Sequence, residues 1–344
     1  MIIADSTIEA VRSLYIEDVL GKYITIKNHV ACCPIHGEKT PSFRINEKKN
    51  YYKCFGCGES GDAIKFVQWQ EKLTFIEAIE LICKDHHIAV EYIETNETPE
   101  QRQEKITKLE QAKQILNFAH NFYRQSLREN EAIKAILLER GYDDDKIEEW
   151  QLGYAPDDWK SITKPIIEKG WYTVANEIGI VKTKDSSNYD VLRNRITIPI
   201  YDKHGQLIGF GARAIGDEKP KYLNPNENFL YSKSSILFAL DRAAKAIKEE
   251  DRVILVEGYF DVMAMHNAGI ENVVAPCGTA CDEKQLQLIK RYTHNISIMY
   301  DGDGAGQKAM AKLIQKCIQM GFNTMAVELN GQDPDELVKT YNHG

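Results

Sequence analysis

Apolar residues recur along this chain with two periods, helical and alternating, and the switches between them mark out its elements. Residues 4–20 predict one helix, with Ser6 as its cap and Ile8, Val11, Leu14 and Tyr15 as its inner face. Tyr23 to Val30 reads as β-rich, and residues 62–70 and 75–84 as helices. Glu94 to Lys105 is polar, rich in Glu, Gln and Thr, and contains Pro99, the pattern of a linker. A long helix is expected from roughly Glu104 to Arg128, and another over Ala132 to Arg140 that stops at Gly141. Further on, Ile196, Ile198 and Ile200 alternate with polar or small residues and predict a strand. Lys203-His204-Gly205 reads as a turn, and Leu207 to Ile215 as a glycine-rich returning strand.

From Arg252 short apolar runs alternate with helical patterns. The strands expected are Val253–Val256, Val273–Ala275, Ile296–Met299 and Thr324–Leu329. The helices between them run to about Ala268, over Glu283–Arg291 and over Gln307–Met320. This β-α-β-α-β-α-β order predicts a parallel sheet. Three of its strands lead into acidic loops: Glu257-Gly-Tyr-Phe-Asp261, Asp301-Gly-Asp303-Gly, and Asp333-Pro-Asp335-Glu. Ligands bind at that edge of open α/β sheets. Carboxylates converging there repel unless cations neutralise them, and hard oxygen donors on a tight loop suit Mg²⁺.

Composition narrows the chemistry. A chain of 344 residues can hold two or three domains, and 43% hydrophobic residues allow real cores. A net charge of -8 excludes a uniformly basic nucleic-acid binder and leaves only local patches. No apolar run approaches a membrane span, and Met1 to Ala10 carries Asp5 and Glu9 without a signal-peptide pattern, so a cytosolic location is expected. Eight cysteines in a reduced compartment suggest metal where they cluster. Cys33-x2-His36, seventeen residues and Cys54-x2-Cys57 form such a cluster, three thiolates and an imidazole that fill a tetrahedral, structural zinc site. Cys32 is expected to pack rather than bind, and Cys83, Cys277, Cys281 and Cys317 to be small core residues.

Two basic patches stand out against the acidic background. The zinc hairpin carries Lys39, Arg44, Lys48, Lys49 and Lys53, interleaved with Phe43, Tyr51, Tyr52 and Phe55. This suits single-stranded nucleic acid, or equally a solvated strand face over an aromatic core. Residues 193–233 hold seven Lys/Arg against four Asp/Glu, including Arg193, Arg195, Arg213, Lys219, Lys221 and Lys233. They read as a channel floor for a nucleic-acid backbone and triphosphates, or as an ordinary exposed hairpin.

These residues together resemble a family. C-C-P-I-H-G-E-K-T-P-S-F with Y-K-C-F-G-C-G resembles the zinc-binding domain of bacterial DnaG-type primases. R-N-R-I-T-I-P-I, G-F-G-A-R and K-P-K-Y-L-N resemble the first part of their RNA polymerase domain. V-E-G-Y-F-D-V, Y-D-G-D-G-A-G and D-P-D-E resemble their TOPRIM module, a fold also found in topoisomerases and some nucleases. The likeness covers almost the whole chain in the family's order. It implies a multidomain α+β and α/β protein: a zinc-ribbon-like β domain with helices over 1–97, a linker over 98–110, a basic mixed α+β subdomain over 111–248, and a Rossmann-like TOPRIM subdomain over 249–344.

The resemblance also implies a function, a DNA primase in bacterial DNA replication. This nucleotidyltransferase makes short RNA primers on a single-stranded DNA template from ribonucleoside triphosphates. Zinc would sit on Cys33, His36, Cys54 and Cys57. Arg193, Asn194, Arg195, Arg213, Lys221 and Lys233 would face template or nucleotide. Glu257, Asp261, Asp301, Asp303, Asp333 and Asp335 would form the catalytic acidic site, with Mg²⁺ or Mn²⁺ on Glu257, Asp301, Asp303 and Asp333. The sequence ends at Gly344, before the helical subdomain and helicase-binding domain that usually follow. It is expected to be either a truncated piece or a short form of the kind carried by a phage or mobile element, and docking to the replicative helicase is left open. The competing expectations are a TOPRIM-type nuclease or topoisomerase fragment, and a zinc-dependent single-stranded DNA-binding module.

Overall fold

The computed structural model describes the chain apart from residues 1, 48, 94–97, 217, 279–280, 303, 328, 330, 335–336 and 339–344. It divides into two compact units, Met1–Gln101 and Arg102–Gly344. Among the described residues no helix is long and apolar enough to cross a membrane.

The first unit is built on a four-stranded antiparallel sheet in the order Val30–Ala31, Phe43–Asn46, Tyr51–Cys54, Ser60–Gly61. Strand alternation decides which hairpin residues are core. Phe43, Ile45, Tyr52 and Cys54 are buried, whereas Arg44 and Lys53 are exposed. The rings of Phe43 and Tyr52 stack at 4.7 Å, and Phe66 of the Ala63–Glu71 helix meets both edge-on. That helix is capped by Asp62, and the Phe75–Asp85 helix by a reciprocal Thr74–Glu77 capping box.

Three sequence expectations give way here. Residues 4–20 form two helices, Asp5–Ser13 and Ile16–Leu20, because Leu14 and Tyr15 are extended. The Asn50 carboxamide holds the break. Its Nδ2 donates to the carbonyls of Arg12 and Leu14 at 2.9 and 2.8 Å, and its Oδ1 accepts Ile16 N–H at 2.8 Å. Ser6 does not cap the first helix but donates to Glu91 at 2.7 Å, leaving Ala4 at the cap position. The stretch from Tyr23 to Val30 is mostly turn, because Asn28 and His29 take positive φ and the strand begins only at Val30. His29 Nδ1 then lies 2.8 Å from Glu17 Oε1 and 3.1 Å from Glu47 Oε1.

The polar stretch expected as a linker is helical from Pro99, the first residue of the Pro99–Arg128 helix. Thr98 and Gln101 cap it reciprocally, at 2.9 and 3.3 Å, and proline suits the first helical position. Beyond it lies a four-stranded antiparallel sheet in the order Tyr222–Leu223, Leu207–Ala214, Arg195–Tyr201, Gly153–Ala155. The turn at its central hairpin is closed by Asp202, whose Oδ1 accepts the N–H groups of His204 and Gln206. Alternation suggested one polar face, yet Thr197 is as buried as its isoleucine neighbours. Phe210 and Ala212 pack with Ile115, Leu116 and Tyr123 of the long helix. Ile196, Ile198 and Ile200 pack with Tyr259, Phe260 and Met263 of the Tyr259–Asn267 helix.

The second sheet runs Leu237–Phe238, Val273–Pro276, Val253–Leu255, Asn295–Ile298, Asn323–Ala326. Its last four strands are parallel as expected. The two-residue edge strand is antiparallel and, like the amphipathic Leu240–Glu249 helix, was not anticipated. The Tyr259–Asn267 helix meets the antiparallel sheet at Gly211, where a Cβ would lie 2.5 Å from Tyr259 Cε2. Tyr259 is buried and donates to Asn224 Oδ1 at 2.6 Å, so its ring has nowhere to go.

Gly211→Ala is therefore expected to destabilise the chain by about 1–3 kcal/mol, as overpacking does. An unchanged urea midpoint would show that the Tyr259 ring moves aside without cost. The Glu17 hydrogen bond, against some desolvation and with help from both carboxylate charges, raises the His29 pKa. A group raised on folding stabilises fully below its unfolded pKa of about 6.5, and that contribution fades as pH rises through the folded value. The Tm difference between the natural chain and His29→Gln should be largest near about pH 6 and shrink toward about pH 8. A pH-independent difference would remove the clamp.

Candidate active site and metal centre

In the first unit, Cys33 follows the Val30–Ala31 strand and Cys54 ends the Tyr51–Cys54 strand, so pairing of the strands brings the two ligand pairs together. The ligand atoms of Cys33, His36, Cys54 and Cys57 all lie within 4.8 Å of one another. Cys33 Sγ and Cys57 Sγ are 4.0 Å apart, and Cys54 Sγ and His36 Nδ1 3.7 Å. Thiolates at about 2.3 Å from a tetrahedral zinc would be separated by about 3.8 Å, so the set fits that ion. Burial disfavours the Cys54 thiolate, but the Ser42 hydroxyl and the N–H groups of Cys57 and Gly56 outweigh it and lower the pKa. Cys32 is exposed and does not pack, contrary to expectation; Cys83, Cys277, Cys281 and Cys317 are buried as expected. On the knuckle, Phe55 is 66% exposed, with Arg44 and Lys53 5.9 and 5.5 Å from its ring centre.

In the second unit, the parallel sheet reverses direction of winding between the Val253–Leu255 and Asn295–Ile298 strands. Glu257 and Asp301 stand just beyond their carboxyl ends, the crevice position for ligands in such sheets. Asp301 N–H donates to Glu257 Oε1 at 3.2 Å. The Gly304–Gln319 helix begins so close that a Cβ on Gly306 would lie 2.8 Å from Glu257 Oε1. The third loop is tied to the second through backbone. Gly302 N–H donates to the Gln332 carbonyl at 3.1 Å, and a Cβ on Gly302 would meet Gly331 N at 2.5 Å. Asp261 Oδ2 accepts Gly258 N–H at 2.9 Å in the first turn of its helix.

A cavity of about 380 Å³ collects these groups. Glu257, Asp261, Asp301 and Asp333 line it, and Arg140, Arg213, Lys221 and Asn224 line it with them. Arg140, Arg213 and Lys221 continue into an adjoining groove of about 480 Å³ with Lys219. Three acidic loops thus reach one place, with cations from the antiparallel hairpin beside them. Their oxygen donors suit a hard divalent cation, though the described carboxylates are not drawn into a cluster as tight as the thiol set. Asp303 and Asp335 lie outside the described residues.

The remaining residues expected to face template or nucleotide fall elsewhere. Arg193 stacks on Trp159, 3.8 Å from the ring centre, and donates to the Asp190 carbonyl. Asn194 takes positive φ and donates to Glu218 at 2.9 Å. Arg195 is buried, donating to the Pro220 carbonyl at 2.9 Å, and Lys233 is exposed outside the cavity. Sequence reasoning passed over Arg140, whose only signal was a cation at a helix end. It also passed over Asn224, although that residue stood within K-P-K-Y-L-N.

Comparison with known proteins matches three family models in succession: a CHC2 zinc finger over residues 3–98, the N-terminal domain of a DNA primase catalytic core over 122–244, and a Toprim-like domain over 254–338. The crystal structure of the Aquifex aeolicus primase (zinc-binding and RNA polymerase domains) is 36% identical, with a TM-score of 0.64 over 97% of this chain and 82% of that one. The chain belongs to the DnaG-type DNA primase family. A second member of this primase family, described as a DnaG catalytic domain bound to single-stranded DNA, is 33% identical, with a TM-score of 0.63 over 68% of this chain and 76% of that one. The DNA primase of Clostridium acetobutylicum is 36% identical over 98% of this chain but 57% of its own length. The chain spans little more than half the length of such curated relatives. Zinc is the cofactor of the CHC2 finger, and Mg²⁺ or Mn²⁺ that of the Toprim domain.

The purified chain is expected to carry one zinc ion. Cys54→Ser should lose it and loosen the first unit, because such a small unit draws much of its folding energy from the ion. Elemental analysis checks this, and full zinc occupancy in the variant would refute the ligand set.

Proposed function

We propose that the chain synthesises short RNA primers on single-stranded DNA from ribonucleoside triphosphates. The observation that carries this reading is the single cavity in which Glu257, Asp301 and Asp333 meet Arg140, Arg213 and Lys221. Phosphodiester formation needs a 3′ hydroxyl aligned with an α-phosphate and its pyrophosphate leaving group. Arg140, Arg213 and Lys221 would hold phosphate oxygens, and Glu257, Asp301 and Asp333 would hold Mg²⁺ or Mn²⁺; Asp303 joins them on the family motif alone. When bound, the divalent ions stabilise both entering and leaving oxygens. The chain's own work is then to position the triphosphate and template and to screen charge. Residues 111–248 and 249–344 supply the two walls, while residues 1–97, with Phe55 beside Arg44 and Lys53, hold unpaired template bases. The work is assigned to the bacterial cytoplasm, where replicating DNA lies.

A topoisomerase-like reaction would need a nucleophile, often tyrosine. Tyr222, Tyr259 and Tyr300 line the cavity. Burial raises the pKa of all three, Tyr222 to about 12, and the Tyr259 hydroxyl is already donated to Asn224, so none offers a ready phenolate.

The test incubates the full chain with single-stranded DNA, labelled ribonucleotides and Mg²⁺ or Mn²⁺. Short RNA is expected; cut DNA would indicate a nuclease, and neither product a binding module. Asp301→Ala should lower synthesis at least about a hundredfold, since the divalent cation it would hold, the counterion of the transferring phosphoryl group, is then lost. DNA affinity should change little, because removing an anion removes no phosphate contact. Phe55→Ala should weaken DNA binding by about tenfold, and Lys221→Ala should reduce the salt slope by about one. Primer synthesis at near-normal rate by Asp301→Ala would sink the assignment.

A further inference from the structure

Glu38 is not one of the four sulfur and nitrogen ligands, yet its carboxylate touches their cluster from several sides. Oε1 accepts the backbone N–H groups of Cys33 and Ser42, each at 2.8 Å. Oε2 accepts the Ser42 hydroxyl at 2.6 Å and lies 3.2 Å from His36 Nε2. Ser42 Oγ is itself 3.3 Å from Cys54 Sγ. The other ring nitrogen of His36, Nδ1, faces the thiols at 3.7 Å from Cys54 Sγ. The Glu38 side chain is 14% exposed, so water competes little for these contacts.

A neutral imidazole has one N–H and one lone pair, and the partner of the first nitrogen decides which atom offers the second to a metal. A carboxylate accepts but does not donate. It therefore draws the N–H to Nε2 and leaves the lone pair on Nδ1, on the side where the three thiols converge. The same carboxylate joins the first ligand pair, through Cys33 N–H, to the second, through Ser42 and Cys54. A residue that only shaped the 33–42 turn would need the two backbone N–H bonds but not the contact to the ring.

We propose that Glu38 is a positioning residue of the zinc centre: it fixes His36 as the Nε2–H tautomer, makes Nδ1 the zinc donor, and with Ser42 sets how tightly the ion is held. This rests on the zinc assignment above. The expected cost of losing such an outer partner is about 10–100-fold in metal affinity.

The test uses the full chain, with Glu38→Ala and Glu38→Gln. Zn²⁺ affinity is measured by competition with a chromophoric chelator, and the His36 tautomer by ¹H–¹⁵N correlation of the ring nitrogens. The natural chain should show zinc on Nδ1 and a proton on Nε2. Glu38→Ala should bind zinc about 10–100-fold more weakly and lose the single tautomer. Glu38→Gln should lie between, because its amide oxygen still accepts the N–H but carries no charge; if the alanine variant does not fold, this variant decides. Zinc on Nε2 in the natural chain, or natural affinity and tautomer in both variants, would overturn the proposal while leaving the zinc assignment standing. A natural chain that binds no zinc would overturn both.

Discussion

Tyr259 meets the antiparallel sheet at Gly211, where no side chain intervenes, and the charged groups around the cavity take their places from that contact. The ring is gripped from behind by Phe238 at 4.7 Å and its hydroxyl is held by Asn224. Arg213 stands two residues along the same strand and lies 5.1 Å from the ring of Phe260, next in sequence to Tyr259. One hydrophobic seam thus sets the separation between a cationic wall and an acidic one. Were the walls closer, the charges would neutralise each other; were they farther apart, they would line two surfaces and not one cavity.

The first unit solves a different problem. It buries a modest core, of which Phe43, Tyr52 and Phe66 form the aromatic centre, and adds a metal cluster at the edge of the same strands. Alternation along those strands sends Phe43 and Tyr52 inward while Arg44 and Lys53 point out beside Phe55. A few residues of hairpin therefore serve the core, the metal and the exposed surface, which is economical only because the strand period is strict.

What the sequence revealed and what it hid have physical reasons. The Cys33, His36, Cys54 and Cys57 cluster was legible because two tight pairs at metal spacing have few other uses, and the parallel strands because each is a short apolar run between helical patterns. The break at Leu14 was hidden because its cause, Asn50, lies 36 residues on. The helix start at Pro99 was placed too late because a proline between polar residues marks a linker and a helix start alike, and only the Thr98–Gln101 cap separates them. Arg195 carries a charge that sequence assigns to the surface, but its strand is covered on both faces and its guanidinium serves the Pro220 carbonyl. Arg140 joins the cavity only because neighbouring Tyr142 packs edge-on against Phe260 at 5.3 Å, a contact between residues 118 positions apart.

The backbone tie between Gly302 and the loop at Gly331 and Gln332 has a consequence for motion. The loops bearing Asp301 and Asp333 follow different strands, yet they share a hydrogen bond and a contact too close for any side chain at position 302. Neither can swing without dragging the other. The carboxylates accordingly behave as one fixed jaw, and because the hairpin opposite is itself seated on Tyr259, the cavity between them keeps its width.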